Sequence, residues 1–176
     1  MKPEEYLLVE ARIRRERENL SRVLGELEKH GLYPEVRSTQ IGGFHLSDDE
    51  ALRILGSILS DFYTFFENMA KSVASRLDRS MPSGDEWHKE LLTQMTLAIP
   101  GLRPGLISAA TARLMEPYRG FRHVFRNLYG FQLNPGRVLD LVRGLPEAVA
   151  ALDRDLDRFM REMRTALEHE DEQDET

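Results

Sequence analysis

The chain has 176 residues, 41% of them apolar and 31% charged, the proportions of a globular domain large enough to fold without a metal or a disulfide. It contains no cysteine, which excludes a disulfide framework, a thiol nucleophile, an iron–sulfur cluster and a thiolate zinc site. The net charge of −6 gathers at the C-terminal end: the last nine residues hold Glu168, Glu170, Asp171, Glu172, Asp174 and Glu175, and the rest of the chain balances at 24 acidic against 24 basic residues.

That acidic end reads as a solvated, disordered tail over residues 169–176, behind a single helical domain spanning residues 1–168. Glu4 and Glu5 stand where a secretory signal would carry basic residues. The longest uncharged stretch, residues 91–102, has twelve residues, too few to span a membrane. A cytoplasmic protein with no membrane partner is the expectation.

In chain order, residues 4–30 set Tyr6, Val9, Ile13, Leu20, Val23 or Leu24, and Leu27 on one helical face, with Gly31 as the stop. Residues 34–43 are polar, carry Gly42-Gly43 and read as a connector. Ser47-Asp48-Asp49-Glu50 matches a capping box and opens a second helix that buries Leu55, Leu59, Phe62, Phe66, Met69, Val73 and Leu77, ending at Met81-Pro82. Ser83-Gly84-Asp85-Glu86 repeats the capping pattern before a short third helix with Trp87, Leu91, Met95 and Ala98 on its apolar side.

Pro100-Gly101 and Pro104-Gly105 bracket a rigid loop. A fourth helix is predicted over residues 107–129, kinked or split by Pro117 near Glu116. Asn134-Pro135 then pairs an N-cap with proline at the first helical position. The last helix buries Val138, Leu141, Leu145, Leu152, Leu156, Phe159, Met163 and Leu167, with a break expected at Gly144 and Pro146. No segment alternates long enough to claim a strand. The expectation is an all-α bundle of five or six helices, whose long, unequal rods leave apolar surface for a second copy of the chain.

The fourth helix concentrates Arg113, Arg119, Arg122, His123 and Arg126. With Leu114 as origin, Tyr118, Phe121, Phe125 and Leu128 fall within about 40°, which defines a core stripe; Arg122 lies at about 80°, Arg126 and Arg119 at about 120° and 140°, and His123 at about 180°. This basic face suits a phosphate ligand, since each guanidinium offers a planar fork to phosphate oxygens. The plainer reading is a solvated face paired with carboxylates of neighbouring helices, and composition and spacing alone favour it.

Of the other candidates, Glu67 in Phe65-Phe66-Glu67 either pairs with one of these arginines or faces solvent. Trp87 reads as core and His88 as a packing or capping histidine, without the second His-carboxylate pair that a di-iron bundle requires. His30, His45 and His169 have no partner that the sequence names. There is no Gly-rich phosphate loop, G-x-S-x-G elbow or H-E-x-x-H motif, and no metal or cofactor is expected.

Arg122-His123-Val124-Phe125-Arg126-Asn127-Leu128-Tyr129 resembles the R-x4-H-x-Y signature of HEPN-superfamily ribonucleases, specifically HepT-like toxins, with Asn127 standing where the family has histidine. Tyr118-Arg119-Gly120-Phe121, Gly130-Phe131-Gln132-Leu133, Pro82-Ser83-Gly84 before Trp87-His88, Leu91-Leu92 and Ile99-Pro100-Gly101 extend the likeness over roughly residues 52–163. The resemblance implies a homodimer in which two motif helices build a composite cleft, metal-independent cleavage of RNA, and a small nucleotidyltransferase antitoxin as partner. It also implies catalytic positions at Arg122, Asn127 and Tyr129, with Tyr129 the residue adenylylated by the antitoxin. Arg119, His123 and Arg126 are then expected to bind substrate.

An amide at position 127 has no proton to exchange near pH 7. Three readings follow: an attenuated or inactive natural member, His123 serving from the next turn, or a deliberately inactivated variant of a toxic protein. Loss of strong activity with ribonuclease ancestry is the favoured one, and the alternative is a catalytically silent helical module that keeps the dimer and the antitoxin-binding face.

Overall fold

A 28-residue helix, α2 (Asp49–Arg76), forms the axis around which the other elements pack, because its apolar residues recur on nearly every side: Leu52, Leu55, Leu59, Phe62, Phe66, Met69 and Val73 are all buried. The computed structural model describes residues 3–127 and 133–174, the side chains of Asn127 and of residues 169–174 excepted. Within it, α1 (Pro3–Lys29), α3 (Trp87–Gln94), α4 (Ala109–Asn127) and α5 (Pro135–Asp174) each touch α2. The fold is all-α with five helices, and no described helix is long and apolar enough to cross a membrane.

Gly31, at φ 68°, closes α1 as its sequence position suggests. The connector that follows contains a small hairpin that alternation had not revealed: β1 (Gln40–Ile41) pairs antiparallel with β2 (Phe44–His45). Gly42 and Gly43 make its two-residue turn at φ 58° and 87°, a conformation that favours glycine at both positions.

Neither capping box forms. Asp48 and Glu86 occupy the N-cap positions of α2 and α3 without a side-chain cap, and Asp48 Oδ2 instead accepts from the His45 amide at 2.9 Å, holding the hairpin to the helix. The end of α2 comes earlier than Met81-Pro82, since Arg79 turns into the left-handed region at φ 50°. In the loop after α3, Arg103 is the buried pin: it donates to both oxygens of Asp78 at 2.5 and 2.6 Å and to the Leu97 carbonyl at 2.8 Å.

Proline interrupts neither α4 nor α5. Pro117 and Arg113, the residue whose carbonyl loses its helical donor, are both exposed, so water satisfies that carbonyl while buried Met115 and Tyr118 hold the turns on either side. Gly144 serves as a seat rather than a break: a Cβ there would meet the Tyr118 hydroxyl at 3.1 Å, and that hydroxyl donates to the Leu141 carbonyl at 2.9 Å. Tyr118 thus locks α4 onto α5 beside the turn that Pro146 weakens. The helix then continues through Asp174, past residue 168.

Two further contacts fix α4. Ser108 caps its first turn, its hydroxyl accepting from the Thr111 amide at 3.1 Å. The Ser108 amide in turn donates to Asp155 Oδ2 of α5 at 2.7 Å. At the other end, Gly56 of α2 lies against the Phe125 ring so closely that a Cβ would come within 2.6 Å of it.

Candidate functional site

The buried stripe of α4 runs through Thr111, Met115, Tyr118, Phe121 and Arg122, rotated from the one centred on Leu114, which is only half-buried. Its centre falls near 50° on the same wheel, so Arg122 at about 80° sits inside the stripe rather than on its border. The residue is 7% exposed. A cation taken so far out of water requires a partner, and α2 supplies it in Glu67, 1% exposed.

Arg122 Nη1 and Nη2 donate to Glu67 Oε2 and Oε1 at 3.2 and 3.4 Å, and Nε donates to the Thr64 hydroxyl at 2.9 Å. Thr64 passes its own proton to the Ser60 carbonyl at 2.8 Å. Of the two readings that the sequence left for Glu67, pairing with a motif arginine is the one observed. One N–H on each terminal nitrogen of Arg122 is left over from these bonds.

The same carboxylate gathers two more donors. Lys71 Nζ reaches Oε1 at 2.6 Å, one helical turn along α2. His88 Nδ1, from the first turn of α3, reaches Oε2 at 2.6 Å. A carboxylate only accepts, so the hydrogen of this contact is on Nδ1.

The His88 ring stacks on Trp87 at 3.6 Å between centroids and 28° between planes, and Lys71 Nζ stands 4.6 Å over the Trp87 ring. Trp87, read as core, is half-buried and forms a wall of the site. Burial is the main influence pushing the His88 pKa below 6.5; the Arg122 and Lys71 charges add to it and Glu67 opposes.

These groups border a cleft of about 410 Å³ lined by Gly84, Asp85, Trp87, His88, Arg122, His123 and Arg126. His123 and Arg126 are exposed along its rim. Arg119 does not line it; its guanidinium is engaged by Glu116 one turn back, at 2.8 and 2.6 Å, and the hydrogen bond to that carboxylate raises its pKa. The side chain of Asn127 and all of Tyr129 lie outside the described residues. Sequence reading missed His88, whose partner is 21 positions away on another helix. The available signal was the pair Glu67 and His88 itself, which only the packing of α3 on α2 connects.

A second cleft, of about 490 Å³, opens between α1 and α2 and is lined by Leu8, Ala11, Arg12, Arg15, Asn68, Lys71, Ser72, Ser75 and Arg76. Lys71 belongs to its wall and to the Glu67 cluster. Arg12 is held by Glu16 at 3.2 Å. Arg15 and Arg76 make no ion pair among the described residues. Among those residues no group of three or more histidine or acidic side chains is placed to hold a metal ion.

Four helices packed on a central fifth, with a buried arginine–glutamate pair beside a basic cleft, define the class of this all-α protein. Residues 54–163 match the family described as HepT-like protein, which covers more than half of the chain. The chain belongs to that family. No curated protein and no solved structure matches it.

Proposed function

We propose that this HepT-like chain is the toxin component of a toxin–antitoxin pair and acts on RNA, as a metal-independent endoribonuclease of homodimeric form. The observation that carries this reading is the cleft at Arg122. Its guanidinium is fixed by Glu67 and Thr64, and the residue lines a cavity that also takes in His123 and Arg126. A fork of this kind, held rigid by a buried carboxylate, suits a phosphodiester oxygen and the charge that grows on it during transesterification.

The α1–α2 groove supports the same reading, because its cations continue from the cleft through Lys71, as a strand with several phosphates requires. In this proposal Arg122 grips the scissile phosphate, and Arg126 and His123 contact the strand at the rim. Asn127 occupies the position of the family's histidine, and Tyr129 is the target of a nucleotidyltransferase antitoxin. Two α4 helices facing each other across a twofold axis complete the cleft.

Asn127 favours a second reading: a catalytically silent module that retains the antitoxin-binding face. Incubating the purified chain and its Asn127→His variant with a labelled oligoribonucleotide in EDTA separates the two. Cleavage by either protein, lost on Arg122→Ala, upholds ribonuclease chemistry at this cleft; cleavage by neither establishes the silent module. For the partner, the expected results are a small nucleotidyltransferase encoded in the adjacent reading frame and adenylyl mass on Tyr129 after co-expression with it; an unchanged intact mass removes the modification.

A further inference from the structure

Nothing in the HepT-like signature explains why a histidine from α3 is bonded to the carboxylate that holds the motif arginine. Glu67 can only accept, so His88 carries a hydrogen on Nδ1, and in the neutral ring Nε2 is then unprotonated. That nitrogen makes no hydrogen bond among the described residues, and the ring lines the cleft beside Arg122. Its orientation is fixed twice, by Glu67 at 2.6 Å and by the Trp87 face at 3.6 Å. A histidine held through Nδ1 by a buried carboxylate, in the wall of a cavity that an arginine also lines, is the arrangement a general base requires.

We infer that His88 is the proton-transfer residue of this site, supplying from α3 the function that an amide at position 127 cannot supply, with Glu67 as its positioning residue. The inference rests on the RNA-cleaving reading of the cleft. In the reaction, His88 Nε2 takes the proton of the ribose 2′-hydroxyl as O2′ bonds to phosphorus. The P–O5′ bond breaks, the 5′ oxygen takes a proton from water, and the His88 proton passes to the hydroxide left behind. The products are a 2′,3′-cyclic phosphate and a 5′-hydroxyl.

Six charged or titratable groups face the ring from the elements around it: Glu67 and Lys71 on α2, Asp85 in the preceding turn, and Arg122, His123 and Arg126 on α4. Burial and the nearby cations hold the imidazole neutral at pH 7, Glu67 opposing, so the acid limb of activity is set by a group titrating below 6.5.

The test compares the full chain with His88→Asn, which keeps a donor near the Nδ1 position and deletes Nε2, and with His123→Gln. Each cleaves a labelled oligoribonucleotide in EDTA from pH 5 to 9. Expected for His88→Asn is a kcat lower by about 10²–10⁴, an unchanged KM and loss of the acid limb, with His123→Gln retaining that limb. Wild-type cleavage that His88→Asn leaves intact, or that His123→Gln abolishes instead, overturns the assignment while the ribonuclease reading stands. An intact chain that cleaves no RNA overturns the assignment, and the ribonuclease reading falls with it when Asn127→His is silent too.

Nitrogen-15 NMR of the histidines in the unmutated chain gives a readout independent of folding in the variants. A neutral Nδ1–H tautomer at His88, titrating below 6.5, is the expected signature, and the Nε2–H tautomer overturns the assignment.

Discussion

Glu67 accepts from three side chains on three helices, Lys71, His88 and Arg122, so removing it strands a buried guanidinium. Glu67→Ala should cost about 3–5 kcal/mol in urea unfolding, the usual penalty for leaving one partner of a buried pair. Replacing both residues, as Glu67→Leu with Arg122→Met, should recover most of that loss; a double variant as unstable as the single one would show that the pair is not coupled. His88 adds a pH dependence. Its folded pKa is lowered, so below 6.5 the unfolded chain binds a proton more readily, and stability falls as the pH drops through 6.5 toward the lower folded value. His88→Asn should flatten that part of the stability curve. At this scale the sequence named Arg122 and left Glu67 between two readings, because both lie on strongly periodic helices. It said nothing of their meeting with His88, which depends on how a mostly exposed loop, residues 79–86, returns α3 to α2.

The number and order of the helices followed from periodicity, while the helix-breaking residues were misjudged for one shared reason: propensity describes an isolated helix, and here packing decides. Gly144 accommodates Tyr118, and Pro117 loses its hydrogen bond on the exposed side, where water replaces it. Gly56 shows the same logic where it affects the site, since it allows α4 to approach α2 three residues from Arg122. Alanine in a helix interior ordinarily gains about 0.5–1 kcal/mol over glycine. At position 56 the added Cβ would stand 2.6 Å from Phe125 Cε2 and 3.2 Å from Leu133 Cδ1, and such overpacking costs about 1–3 kcal/mol. Gly56→Ala should therefore destabilise the fold, and combining it with Phe125→Ala should cost less than the sum of the two changes. Strict additivity in that double-mutant cycle would mean that the two helices do not meet there as described.

Across the whole molecule, a net charge of −6 conceals how the charges are distributed. Once the terminal carboxylates are set aside the chain balances, and folding gathers Arg12 and Arg15, from the arginine-rich stretch 12–17 of α1, with Lys71 and Arg76 of α2 into one groove. The proposed homodimer predicts a solution mass twice the 20.3 kDa of the chain; a lone protomer would leave each cleft without the second motif helix. The groove makes a separate, quantitative prediction. Arg15 and Arg76 form no ion pair among the described residues, so replacing them should disturb RNA contact far more than folding. Each phosphate that a cation neutralises releases counterions and adds about 0.7 to the dependence of log affinity on log salt for a single strand. If both arginines touch phosphates, the pair Arg15→Gln and Arg76→Gln should lower that slope by about 1.4 and weaken binding at low salt, with the thermal midpoint nearly unchanged. Titrating a fluorescent oligoribonucleotide at several salt concentrations measures the slope. A double variant with the wild-type value would confine the strand to the Arg122 cleft, whereas the expected decrease would extend its path across Lys71 and along α1.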